Sequence, residues 1–255
     1  MRFKIEIIIY IFFSLSITLF SQENRSFNFK TNSIWLLEDY YNRLIQEQSP
    51  QKLYRLADGQ IIVIEFNEKE NYLQFCNFYE ATRHNYSIVT NNKIKVSYQR
   101  EKMIESTITF EEINGIPKIV LENKDERKIF VRLNERYHTV NDINKFINDC
   151  LITGNYVSSE DSKLKVRFAS DGTLLGIGKF NHYLISITSD EVPKSFDIIS
   201  LSEFIESKFG GKRVTNVNYF YWEKKDSRII LYQTSEPIPD AKIQGKFIEL
   251  VKVGS

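Results

Sequence analysis

Lys93-Ile94-Lys95-Val96-Ser97-Tyr98-Gln99 puts Ile94, Val96 and Tyr98 on one side of an extended chain and Lys93, Lys95, Ser97 and Gln99 on the other. A period of two is the mark of a half-buried strand, because successive side chains leave a strand on opposite faces. The pattern recurs. Ile104, Ile108 and Phe110 alternate with Glu105, Thr107, Thr109 and Glu111, and Ile129, Val131 and Leu133 alternate with Lys128 and Arg132. Around these lie the short β-rich runs 60–66, 72–78, 85–90 and 116–121. Asp58-Gly59, Asn91-Asn92 and Asn114-Gly115 punctuate them with residues that tolerate the positive φ of tight hairpins. The expectation is a meander of about seven antiparallel strands.

Upstream, Ser33-Ile34-Trp35-Leu36-Leu37 and the residues to Ile45 read as a helix. Ile34, Leu37, Tyr41, Leu44 and Ile45 share one face, Ser33 caps the start, and Ser49-Pro50 ends it. Downstream, Thr139 and Asp142 have the spacing of a capping box and open a short helix from Val140 to Asp149. Strands then resume at 152–157, 163–168, 173–180, 183–188, 196–201, 218–223, 228–234 and 246–251. Asp171-Gly172 is a hairpin tip, Leu201–Phe209 a short helix closed by Gly210-Gly211, and Glu236-Pro237-Ile238-Pro239 a loop. The expected fold is mainly β. Two antiparallel barrel or sandwich units, 22–150 and 151–255, carry an N-terminal helix and a short linking helix, with the boundary near Cys150. Alternation without a strand–helix–strand rhythm argues against a parallel sheet.

The chain has 255 residues, 42% hydrophobic, 26% charged and 14% aromatic, which is the composition of a globular protein. Residues 1–21 read as a secretory signal peptide: Arg2 and Lys4, an uncharged run from Ile7 to Phe20, and Ser21 at the exit. The run falls short of the roughly 20 residues of a bilayer span, and no later stretch approaches that length, so the expected mature chain is exported and has no transmembrane segment. Without Arg2, Lys4 and Glu6 the basic and acidic side chains are equal in number, and no basic run interleaves with aromatics. Nucleic acid and anionic membrane surfaces are thereby poor partners. In an exported chain a disulfide between Cys76 and Cys150 is chemically permissible, and so are two buried thiols. A bridge would close a loop worth roughly 4 kcal/mol of chain entropy.

Gly154-Asn155-Tyr156-Val157, then Leu164–Phe168, Asp171-Gly172-Thr173, Phe180 and Tyr183, with Phe247-Ile248-Glu249-Leu250-Val251 as a last strand, resembles the lipocalin-like domains of exported bacterial proteins. The resemblance covers about 100 residues, with Tyr156 where such domains often carry Trp. It implies a small β-barrel and an apolar ligand, and no chemistry.

Chemistry-bearing patterns are few. His84 and His182 each sit just before a strand and His138 precedes the capped helix; His182 can be drawn with Ser186 or Asp190 as a triad, as almost any exported sequence would permit, and no Gly-x-Ser-x-Gly elbow presents a nucleophile. No Cys-x-x-Cys or His-x-His pair occurs, so no metal site and no cofactor are expected. Glu111-Glu112 and Asp125-Glu126 are adjacent carboxylates that strand geometry sends to opposite faces. Tyr219-Phe220-Tyr221-Trp222 stands out instead. With Tyr219 and Tyr221 turned inward, they join Phe168 and Tyr183 as a phenol-bearing lining for a small apolar ligand. The same rings also suffice simply to fill an eight-strand barrel, and the rings left outside suit a protein interface. The expected function is a non-catalytic binding or interaction protein of the cell envelope, engaging a protein partner or a small apolar ligand. The alternatives are a hydrolase using His182 or His84 and a structural accessory of an envelope complex.

Overall fold

The computed structural model describes residues 32–57, 60–67, 72–77, 80–99, 103–186, 197–207, 210–234 and 242–254; the expected leader, the Asp58-Gly59 turn and the Glu236–Pro239 loop lie outside these. The described chain is mainly β, with two barrel-shaped sheets. The first comprises β1 (Ser33–Leu37), β2 (Val63–Asn67), β3 (Tyr72–Cys76), β4 (Ala81–His84), β5 (Tyr86–Thr90), β6 (Lys93–Gln99), β7 (Met103–Ile113), β8 (Ile116–Glu122) and β9 (Arg127–Arg132). Their order is β4-β3-β2-β1-β9-β8-β7-β6-β5. The two end strands, β4 and β5, are separated in sequence by Asn85 alone, so the sheet must curl to bring its ends together. The second sheet comprises β10 (Gly154–Ser158), β11 (Lys165–Phe168), β12 (Thr173–Ile177), β13 (Phe180–Ile185), β14 (Asp197–Glu206), β15 (Lys212–Lys225), β16 (Arg228–Thr234) and β17 (Ile243–Lys252). It is a closed antiparallel meander in which β17 pairs back on β10.

The expected helix from Ser33 is corrected. Ser33–Leu37 is a strand whose five residues are all buried, and the helix α1 (Glu38–Glu47) starts only after it. Trp35 enters the barrel, edge-on to Phe110 at 5.9 Å, with its Nε1 donating to Ser33 Oγ at 2.9 Å. A strand buried on both faces is apolar at every position, so spacing alone does not separate it from a helix. The first helix does stop just before Ser49-Pro50, at Glu47, with Gln48 as its C-cap. Pro50 opens a second helix, α2 (Pro50–Ala57), where its missing N–H costs nothing. The first sheet has nine strands rather than seven. The expected helix Leu201–Phe209 is also corrected, since the chain from Asp197 to Glu206 is β14 and Gly210-Gly211, at φ 84° and 85°, belong to the hairpin that follows.

Between the barrels lies α3 (Ile143–Leu151), preceded by a single 3-10 turn at Val140–Asp142. Tyr41 of α1 stacks on Phe146 at 5.7 Å, and Tyr137 meets the same ring edge-on at 5.5 Å. On its other side, Asn148 Nδ2 donates to Ser170 O at 2.9 Å. Asp197, at the start of β14, accepts from the Ser49 hydroxyl at 3.0 Å and the Gln51 N–H at 2.9 Å. One apolar core therefore runs through both barrels and the helix between them.

Asp142 anchors the entry to α3. Its Oδ2 accepts from the His138 and Thr139 N–H groups at 2.9 and 3.1 Å, and Lys145 Nζ lies 2.6 Å from Oδ1. Partial burial opposes ionisation, but the Lys145 ammonium and the two N–H donors outweigh it and hold the pKa down to about 2. A depressed carboxylate contributes stability that is complete above its ordinary range and is lost as pH falls toward the folded value. Asp142→Asn is expected to cost about 1 kcal/mol at neutral pH, the size of a lost helix cap. It should also flatten the urea midpoint's dependence on pH between about 4 and 2, which denaturation at a series of pH values measures.

Candidate functional site

Three rings meet inside the second barrel. Phe168 on β11 is edge-on to Tyr156 of β10 at 5.7 Å and to Tyr183 of β13 at 5.1 Å. All three are fully buried. Tyr156 donates its hydroxyl to Ile152 O and Tyr183 to Ala169 O, each at 2.7 Å. Burial raises both phenol pKa values above the ordinary range. The polar tips that a ligand would need are thus already committed to the backbone. Phe220 and Trp222 complete the filling from β15.

The expectation that Tyr219 and Tyr221 turn inward is corrected by the register of β14 on β15. Ile199 pairs with Phe220 and Ile198 with Tyr221. Cross-strand partners share a face, so Phe220 follows Ile199 into the barrel core, while Tyr221 points away from the barrel interior and is itself buried on the other side of the sheet. There it packs with Ile198 and Tyr232 in a small cluster separate from the main core. Tyr219, two residues away on the same face, is 43% exposed. Of the four expected lining residues, the structure brings Phe168 and Tyr183 together and places Tyr219 and Tyr221 on the far side of the wall.

That outer wall is uncharged. Leu184, Ser200 and Tyr219 form one cross-strand row over β13, β14 and β15; His182, Ser202 and Val217 form the next, and Phe204 with Val214 a third. Leu184, Val217 and Tyr219 are 50%, 44% and 43% exposed, and no carboxylate, ammonium or guanidinium interrupts the three rows. Sequence reading missed Leu184 and Val217. Leu184 sits in a run, Tyr183-Leu184-Ile185, where nothing polar marks the outward side.

At the edge of this wall His182 borders a hollow of about 520 Å³ shared with Asp171, Phe204, Glu206 and Lys212. The His182 ring meets Phe204 at 4.6 Å, and burial lowers its pKa more than the nearby Asp171 carboxylate raises it. Asp171 Oδ1 accepts the Thr173 N–H at 2.9 Å, a hairpin contact. Ser186 follows His182 by four residues, a separation of roughly 13 Å along an extended chain. That is beyond proton-transfer reach; Asp190 lies outside the described residues. His84, on β4, stands with Nε2 2.8 Å from Thr82 Oγ1 and its ring 5.1 Å from Phe75. It borders a second hollow of about 610 Å³ with Arg83, Lys95 and Glu105, in which Lys95 and Glu105 pair at 2.8 Å.

Cys76 and Cys150 are both free thiols, and burial raises each to about 11. Such thiols are poor nucleophiles near neutrality. Among the described residues no group of three or more His, Cys, Asp or Glu converges as a metal site would require. No helix among them is long and apolar enough to cross a membrane. Comparison with known proteins returns no match: no family model fits the chain, and no curated protein or solved structure is significantly similar to it.

Proposed function

We propose that the protein is an exported, non-catalytic binding protein of the cell envelope, and that it engages a protein partner through the outer face of its second barrel. The observation that carries this reading is the uncharged wall of Leu184, Val217 and Tyr219, each exposed by 43% or more on adjoining strands. Monomeric proteins seldom leave large apolar side chains exposed together, and tyrosine among uncharged neighbours is typical of interface centres. Export rests on the basic start and apolar run of residues 1–20. A lipocalin-like carrier of a small apolar ligand is the second reading. It is disfavoured by the contacts among Tyr156, Phe168 and Tyr183, whose hydroxyls are spent on Ile152 and Ala169.

The test is capture from the native envelope by cross-linking, comparing the wild-type chain with Leu184→Lys/Tyr219→Lys. Both positions are exposed, so the double variant should keep its thermal midpoint. It should lose at least about tenfold in recovered partner, because buried interface anchors carry most of the binding energy. Equal recovery by both chains would overturn the assignment of this face. A wild-type protein that carries a stoichiometric small apolar molecule would favour the carrier.

A further inference from the structure

We propose that β5 forms the interface of a homodimer, two copies of the chain pairing antiparallel along this strand's open edge. The proposal rests on the first barrel and is independent of the wall on the second. β5 is the last strand of its sheet and pairs with β6 on one side. Among the described residues no strand pairs with its other edge. Ile88 and Val89 are 63% and 55% exposed, although Ile94, the cross-strand neighbour of Ile88, is fully buried. Proteins ordinarily guard such an edge with charge or proline. Ser87-Ile88-Val89-Thr90 has neither.

An open edge selects its occupant by geometry. Its N–H and C=O groups alternate at the ladder spacing, which only another extended strand can match. The charge pattern then favours a second copy. From His84 to Asn92 the chain carries no Asp, Glu, Lys or Arg, so two copies related by a twofold axis through β5 set one uncharged run against another. Like charges directly opposite would destabilise such a pair, and here Arg83 and Lys93 lie beyond the paired run. A formal net charge of +1 adds almost no long-range repulsion between copies. The register shift between Ile88 and Thr90 bends the strand and shortens the ladder that can form. The dimer is therefore weak, as small interfaces are.

Sedimentation velocity on the purified full chain across a concentration series reads this directly. The expected result is a shift from monomer toward dimer with rising concentration. Ile88→Lys/Val89→Lys should abolish the shift without changing the thermal midpoint, since both side chains are exposed. The second-barrel variant Leu184→Lys/Tyr219→Lys should leave it intact. In hydrogen exchange, the amides of Ser87–Thr90 should be slowed severalfold in the concentrated sample relative to the dilute one. A wild-type chain that stays monomeric throughout overturns the proposal, as does a dimer that survives the β5 substitutions or one lost only in the second-barrel variant.

Discussion

Phe168→Ala should lower the unfolding free energy by about 3–5 kcal/mol, the cost of deleting a fully buried aromatic ring. The ring is 1% exposed and held edge-on by Tyr156 and Tyr183, whose hydroxyls are tied to Ile152 O and Ala169 O. Neither neighbour can swing into the void without breaking a buried hydrogen bond, so the cavity stays open and its penalty adds to the lost transfer energy. Urea denaturation checks this: the midpoint should fall with little change in slope. A cost below about 1 kcal/mol would mean that the rings are a loose wall around a ligand space rather than core. Tyr183→Phe keeps the ring and removes the bond to Ala169 O, and about 1 kcal/mol is expected for it. The pair of variants separates packing from hydrogen bonding.

The second large effect is expected at Gly176, where β12 passes β11. The residue has φ 93°, and a Cβ there would lie 2.0 Å from Lys165 O, a backbone atom that cannot rotate away. Gly176→Ala therefore combines backbone strain with a clash that only separating two barrel strands relieves, a loss of about 3 kcal/mol or more. Gly178 is the control, two residues on. Its φ is 51° and a Cβ would meet nothing within 4 Å, so Gly178→Ala should cost only the left-handed penalty of about 1–2 kcal/mol. Thermal unfolding of the two variants should rank them clearly, and equal midpoints would show that β11 and β12 yield at no cost.

The alternating strands were legible because one side of each faces water: Ile94, Val96 and Ile108 are buried while Lys95 and Glu105 stay exposed. β1 was not, because its far face is also covered. Glu65, paired across from Ile34, is buried and accepts the Val140 N–H at 2.8 Å from the segment leading into α3. That covering segment lies a hundred residues away in sequence, out of reach of any local pattern. β14 was hidden by the irregularity between Glu203 and Phe204. The parity of Tyr219–Trp222 had no polar residue to mark it and was set by the pairing of Ile199 with Phe220. The candidate surface escaped for the same reason. An apolar residue facing water reads as core until its cross-strand partners are known.

Each sheet is built from a contiguous stretch of chain, which bears on how the protein is made. β1 pairs with β9 through Leu37 and Phe130, and β10 with β17 through Val157 and Val251, with no strand exchanged between the two sheets among the described residues. A chain released N-terminus first can therefore finish the first barrel once Arg132 is free, before β10 exists as a strand. Until then β1 waits with one edge open while about 90 residues arrive, the slow, long-range step expected of such topologies. After that, α3 needs only dock on the finished barrel to give the second one a floor on which to assemble. Truncation after Leu151 should accordingly leave a foldable half, whereas a chain stopped just before β9 should present β1 and β8 as sticky, unfinished edges to the chaperones that meet it.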